Sequence, residues 1–299
     1  MFALWDLVWL CSVRPDDRPN DYIAKTGRIV LEYADELNDY YHHSAARMSL
    51  CIDCLERGHI AEAEKWAQQL RDFGRQTGFG PADSFGLMFL ALCHALHEQF
   101  EPARELSEEA IGRSVTDIER ANGLAVKGVV LMLQGQFDEA RDLLGHVRKV
   151  AHEDSFQVLL TSVEIPYGAA LVFSGDAKAG LSVLENAIEM FSEWRNARMV
   201  AWAHLVLGEI HLHMATSEQD LAVEGLREAD RHLWKAVRVG QSAGTDGHVA
   251  EAMLNLGLLA KATKQFKDSK AHLDEARRVA EPLGWPELVS KIETTRAKL

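Results

Sequence analysis

Apolar residues along the chain recur three and four apart in stretches of three to four helical turns, and the strict alternation that a half-buried strand requires is absent. Short polar turns break these stretches at regular intervals: "RGHIAEA", "HEQFEPA", "QGQFDEA", "SGDAKAG" and "TKQFKDS". The helix before the turn carries a small residue in each copy: Cys51, Ala91, Gly128, Gly168, Gly208 and Gly257, spaced by 40, 37, 40, 40 and 49 residues. The helix after it answers with Ala63, Ala103, Ala140, Gly180, Ala229 and Ser269. Antiparallel helices approach closely only where both present small side chains, and the neighbouring aliphatic positions then fill the grooves. Leu50, Leu90, Leu207 and Leu256 supply these from the first helix, and Leu144, Leu184, Leu233 and Leu273 from the second.

One hairpin of this kind cannot bury its apolar face alone, so the copies must stack. The pattern resembles the tetratricopeptide repeat. That resemblance implies an all-α, right-handed superhelical solenoid of about seven helix pairs with a period of ~40 residues. Three regions follow: residues 1–42 as a degenerate N-terminal helix pair, 43–283 as six repeats, and 284–299 as a capping helix after the Gly-Trp-Pro stop. The fifth repeat places 21 residues between Gly208 and Ala229 where the others place 12, an insertion at 215–226. Such insertions map to loops on one face, often the binding face.

The repeat register decides how to read the cysteines in "SLCIDCLERGH". Cys51 stands where Gly128, Gly168 and Gly208 stand, and Cys54 stands where His94, Leu131, Leu171, His211 and Ala260 stand. Both therefore belong to the packing face, where a free cysteine acts as a small hydrophobe. The competing reading is a zinc site completed by Cys93, His94 or His97 from the next repeat, which no local spacing enforces. "HEQFE" and "HEDSF" lack the second histidine of the helical zinc-protease motif, "VFSGD" lacks the first glycine of a nucleophile elbow, and no phosphate loop is present. The expectation is no enzyme activity and no cofactor.

Repeat arrays bind along the wall lined by the first helix of each pair. Candidate groove residues there are Met48, Ile52, Phe85, Met88, Leu92, Met132, Ile165, Phe173, Trp202 and Leu205, after which the wall turns polar at Glu209, His213, Glu251 and Lys261. An open groove would take an amphipathic helix or a small molecule, and a closed one would bury the same residues against each other. At the other end, Phe2, Trp5 and Trp9 make a tryptophan-rich face suited to an upstream domain or a second copy of the chain.

Charge narrows the partners. With 45 acidic and 32 basic residues the 299-residue chain carries −13, which opposes nucleic acid and anionic membranes. Four cysteines do not make a disulfide framework, and the apolar start is too short to span a bilayer and lacks the parts of a signal peptide, so a cytoplasmic setting is expected. The order of "FALWDLVWLCSV", "LVLGEIHLHM" and "EAMLNLGLLAKATKQFKDSKAHLDEA" resembles the C-terminal repeat arrays of bacterial multidomain class III adenylate/guanylate cyclases that carry an AAA- or STAND-type ATPase. A weaker similarity is to the arrays of maltose-regulator-like transcription activators. The resemblance implies a non-catalytic, protein-binding regulatory sensor module. The alternative is a stand-alone receptor for a hydrophobic peptide or small molecule.

Overall fold

A computed structural model describes residues 21–153, 157–217 and 222–299. Among the described residues there are 14 α-helices and no strand. Helix α1 (Tyr22–Leu37) comes first. Six hairpins follow: α2 (Tyr40–Arg57) with α3 (Ile60–Thr77), α4 (Gly80–Leu96) with α5 (Phe100–Arg113), and α6 (Asp117–Leu133) with α7 (Phe137–Glu153). Next come α8 (Gln157–Phe173) with α9 (Ala177–Glu193), α10 (Ala197–Ser217) with α11 (Ala222–Ala243), and α12 (Asp246–Ala262) with α13 (Phe266–Ala280). A 3-10 turn (Glu281–Leu283) leads into α14 (Pro286–Arg296), whose first residue is the proline.

The same local chemistry recurs at the five hairpin turns among the described residues. One residue at the turn takes a left-handed conformation, glycine at Gly58, Gly135 and Gly175, but Glu98 and Lys264 in the remaining two of these turns. A main-chain bond then runs from the next amide back to the helix: Gln99 N to His94 O (2.8 Å), Gln136 N to Leu131 O (2.9 Å), Asp176 N to Leu171 O (2.9 Å) and Gln265 N to Ala260 O (2.7 Å). This satisfies carbonyls that a helix end otherwise leaves bare. Helix starts are capped in turn, as where Thr116 Oγ1 accepts the Glu119 amide (3.2 Å) and Asn196 Oδ1 the Met199 amide (3.2 Å).

The small-residue register holds the pairs together. A methyl group added at Gly128 would meet Leu144 at 2.6 Å, one at Gly208 would meet Leu233 at 2.7 Å, and one at Gly257 would meet Leu273 at 2.8 Å. Where polar atoms occupy this seam they bond across it, Cys51 Sγ to Ala63 O (3.4 Å) and Ser269 Oγ to Gly257 O (2.7 Å).

The chain forms two compact units, the first running through Gly180 and the second holding Glu56–His59 and Leu181–Leu299. In the first unit α4 packs on α6 and α6 on α8, so first helices form a continuous layer and second helices lie outside it. Buried carboxylates brace this unit. Asp83 takes Arg71, Arg75 and Arg113, and Glu164 takes Arg148 Nε (2.8 Å) and His152 Nε2 (2.7 Å). In the second unit the corresponding layer is α10, α12 and α14.

The extra residues of the fifth repeat lengthen helices. α10 and α11 run for 21 and 22 residues, against 14 to 18 in the other hairpins of the array described above α12, and only 218–221 between them lie outside the described residues. The N-terminal face formed by Phe2, Trp5 and Trp9 also lies outside the described residues.

Candidate functional site

The first-helix layer of the second unit carries two carboxylates where the repeat otherwise places apolar side chains. Glu209 on α10 occupies the position of Ile52, Leu92 and Val129, one residue after the small residue, and Glu251 on α12 occupies the position of Phe85 and Trp202. Both are half-buried. Asn255, one turn after Glu251, donates through Nδ2 to Glu209 Oε1 (2.8 Å) and to its own helix at Glu251 O (3.0 Å). The amide therefore ties α10 to α12 and fixes the Glu209 carboxylate beside Glu251.

Crowding by the helices disfavours charge on both acids. Burial pushes the Glu209 carboxyl up to about 7, against the pull of the Asn255 hydrogen bond and of Lys291 on α14. Burial and then the Glu209 anion push Glu251 up to about 8, with Lys291 again opposing. Near neutral pH the pair shares protons, and an incoming cation would displace them.

Towards the start of the same helices, two turns before Glu209 and one turn before Glu251, Trp202 stacks on His248 with centroids 6.3 Å apart and planes 7° from parallel. Burial, and then the Arg198 charge, hold that imidazole down to about 4, so the stack is neutral and apolar in character. Between α10 and α11 lies a column of three more imidazoles. His204 and His232 share a hydrogen bond between their Nδ1 atoms (2.9 Å), and His211 stacks on His232 at 5.8 Å. Burial keeps them neutral, lowering His204 to about 4 and His232 to about 3. Among the described residues no three histidine, cysteine or acidic side chains converge as metal ligands.

The groove candidates divide by exposure. In the first unit Met88 (2%) and Ile165 (0%) are sealed in the layer, whereas Met48, Ile52, Phe85, Leu92 and Met132 are half-buried. Phe173 is 37% exposed and stacks on Phe137 at 4.9 Å. In the second unit Leu205 is buried and Trp202 half-buried. Cys51, Cys54 and Cys93 are buried free thiols. Burial pushes the Cys51 thiol well up and takes Cys93 up to about 12, so neither is a thiolate at neutral pH. Sequence reasoning placed Glu209 and Glu251 on the wall but missed Asn255, His248 and Lys291. A polar side chain in an apolar column was the available signal for Asn255. Nothing local marked Lys291, which belongs to the cap.

No protein-family model matches the sequence, and no curated protein shows significant similarity to it. Many solved chains resemble the fold, among them BtubC and RapI. BtubC (BKLC) from P. vanneervenii is 16% identical, with a TM-score of 0.51 over 74% of this chain and 90% of that one. The apo form of RapI is 14% identical, with a TM-score of 0.47 over 97% of this chain and 80% of that one. At this identity the BtubC likeness speaks for architecture alone. The chain is an all-α helical-repeat protein with tetratricopeptide-like hairpins.

Proposed function

We propose that this chain is a non-catalytic interaction module whose second unit receives a basic side chain or amine of a protein or peptide partner. The observation that carries the reading is the carboxylate pair Glu209 and Glu251, oriented by Asn255 on the first-helix layer. Two acids in apolar columns cost stability through desolvation, a cost that a cationic partner would offset. The net charge of −13 supports a basic partner by steering its approach. The adjoining Trp202–His248 stack offers the flat apolar surface on which the stem of a lysine or arginine would rest.

The wider setting, a regulatory sensor array related to those of signalling cyclases with an ATPase module and acting in the cytoplasm, is supported by the sequence resemblance alone. A second reading, reception of a hydrophobic peptide, is favoured by the part-exposed Phe137–Phe173 stack of the first unit.

The test is calorimetry with basic and apolar peptides at pH 7.5 in buffers of different ionisation enthalpy. A lysine- or arginine-bearing peptide should bind with release of protons, and Glu209→Gln with Glu251→Gln should abolish both binding and release. Binding only of apolar peptides, unaffected by the double variant, would favour the second reading. Binding of basic peptides without proton release would refute the placement at this pair.

A further inference from the structure

A cavity of about 480 Å³ opens in the first unit between the C-terminal halves of α1 and α3, above the start of α2. It is lined by all three of these helices, and its volume falls in the range of small-molecule sites. At its base a three-residue relay fixes one guanidinium. His43, itself buried, meets Asp35 Oδ1 through Nε2 (2.6 Å), and Arg47 Nη1 lies against both ring nitrogens, nearer Nδ1 than Nε2 (2.8 Å). Burial and the neighbouring Arg47 charge lower the imidazole's proton affinity, in keeping with a neutral ring. Phe73 supports both groups, its ring centroid 4.0 Å from that of His43 and 5.4 Å from the Arg47 guanidinium carbon.

The relay leaves Arg47 with unspent capacity. Its Nε is buried with no hydrogen-bond acceptor and out of a ligand's reach, so an incoming group would meet the Nη1–Nη2 edge, and the Asp35 charge acts on the guanidinium from beside His43. A pre-oriented guanidinium with free donors on the wall of a cavity is the geometry that receives a planar carboxylate by two parallel bonds. The remaining wall is acidic and amide-rich. Asp39 accepts the His42 amide (3.1 Å) on Oδ1 and meets the His42 ring through Oδ2, Asp72 accepts from Gln68 (2.8 Å), and both line the cavity without bonding Arg47. Gln69 and Gln76 add amide donors and acceptors. Three carboxylates would repel a phosphate or a dicarboxylate, whereas a molecule with one carboxylate and one ammonium would find a partner for each end.

We propose that this cavity binds a small zwitterion of short-peptide size, its carboxylate on Arg47, its ammonium near Asp39 and Asp72, and its amide bonds on Gln69 and Gln76. The site is independent of the carboxylate pair in the second unit, and either can fail without the other.

The experiment is a titration of the full-length chain, followed by two-dimensional NMR, with triglycine, triglycine amide, N-acetyltriglycine, a Gly-X-Gly panel and inorganic phosphate. Triglycine or a panel member should saturate at millimolar concentration, with shifts at the turn around Asn38 and along the second half of α3. Removing either terminal charge should weaken binding by about tenfold, because each charged end loses a charge-assisted bond. Arg47→Met should abolish binding, and Arg47→Lys, which keeps charge but loses the fork, should also lose most of it. Should Arg47→Met not fold, Asp72→Asn on the rim is the substitute, with binding of the free ammonium form reduced and that of the acetylated form unchanged. Saturation by phosphate, equal binding of the amide, or no binding by any tripeptide up to about 20 mM, a weak limit on the affinity scale, would overturn the proposal.

Discussion

Glu251→Gln should make the protein more stable at alkaline pH, and the gain should vanish in mild acid. Burial and the Glu209 anion hold the Glu251 carboxyl at about 8, against an ordinary 4.5. Between those values the unfolded chain gives up its proton while the folded chain keeps it. The folded protein therefore loses stability as pH rises, with none of the penalty present below 4.5 and all of it above 8. At 1.36 kcal/mol per pKa unit the gap caps the penalty at about 5 kcal/mol. Water reaching the half-buried side chain screens this to about 2 kcal/mol. Glutamine is close in shape and carries no charge to desolvate. In urea unfolding the variant should match the parent at pH 4.5, exceed it by about 1 kcal/mol near pH 6.5, and by about 2 kcal/mol above pH 8. The buried histidines tilt the absolute curves of both proteins alike, so the difference isolates this carboxyl. A variant equal to or less stable than the parent at pH 9 would refute the reasoning, because it would mean that the charged carboxylate is welcomed where it stands.

Three other outcomes are expected. Gly180→Ala places a methyl 2.5 Å from the Gly168 carbonyl, where neither backbone can retreat, whereas Gly208→Ala meets the movable Leu233 side chain at 2.7 Å. After a helix-propensity gain of about 1 kcal/mol each, the first should cost about 3 kcal/mol and the second about 1 kcal/mol in thermal or urea unfolding. His204 and His232 resist protonation down to about 4 and about 3, so stability should be complete above pH 6.5 and fall as pH drops below it. The loss should approach about 1.4 kcal/mol per pH unit for each ring, with their NMR shifts unmoved above pH 5. Cys51, Cys54 and Cys93 should resist a thiol reagent at pH 8 in the folded protein and react fully in denaturant, read by mass spectrometry of the labelled peptides.

The hairpins were legible because their determinants are local and repeated. A glycine or alanine at the seam, a leucine facing it and a turn five or more residues on recur often enough to set the register, and with it the role of Cys51. The insertion was legible as a count, 21 residues against 12, but not as a shape. "MATSEQDLAVEG" holds helix-favouring residues, so both helices were prolonged before the chain turned. The carboxylate pair was half legible. Glu209 and Glu251 are conspicuous once the columns are aligned, yet they are 42 positions apart, and only the packing of α10 on α12 makes Asn255 their bridge. The Arg47 cavity was not legible at all. Asp35, His43, Arg47 and Phe73 come from three helices, one of which precedes any recognisable repeat, and a histidine relay leaves no periodic trace.

The turn bond that closes hairpin after hairpin also bears on how the protein acquires its structure. Each hairpin is specified by residues within about forty of one another, so loop closure is cheap and a nucleus can form at more than one place. Growth from any such nucleus proceeds by docking the next hairpin, and loosening proceeds in reverse from the ends. Amide exchange should then be graded, slowest in the middle hairpins of each unit and fastest towards its margins. A protein assembled in this way gives up its terminal segments first, and keeps a folded interior while it does so.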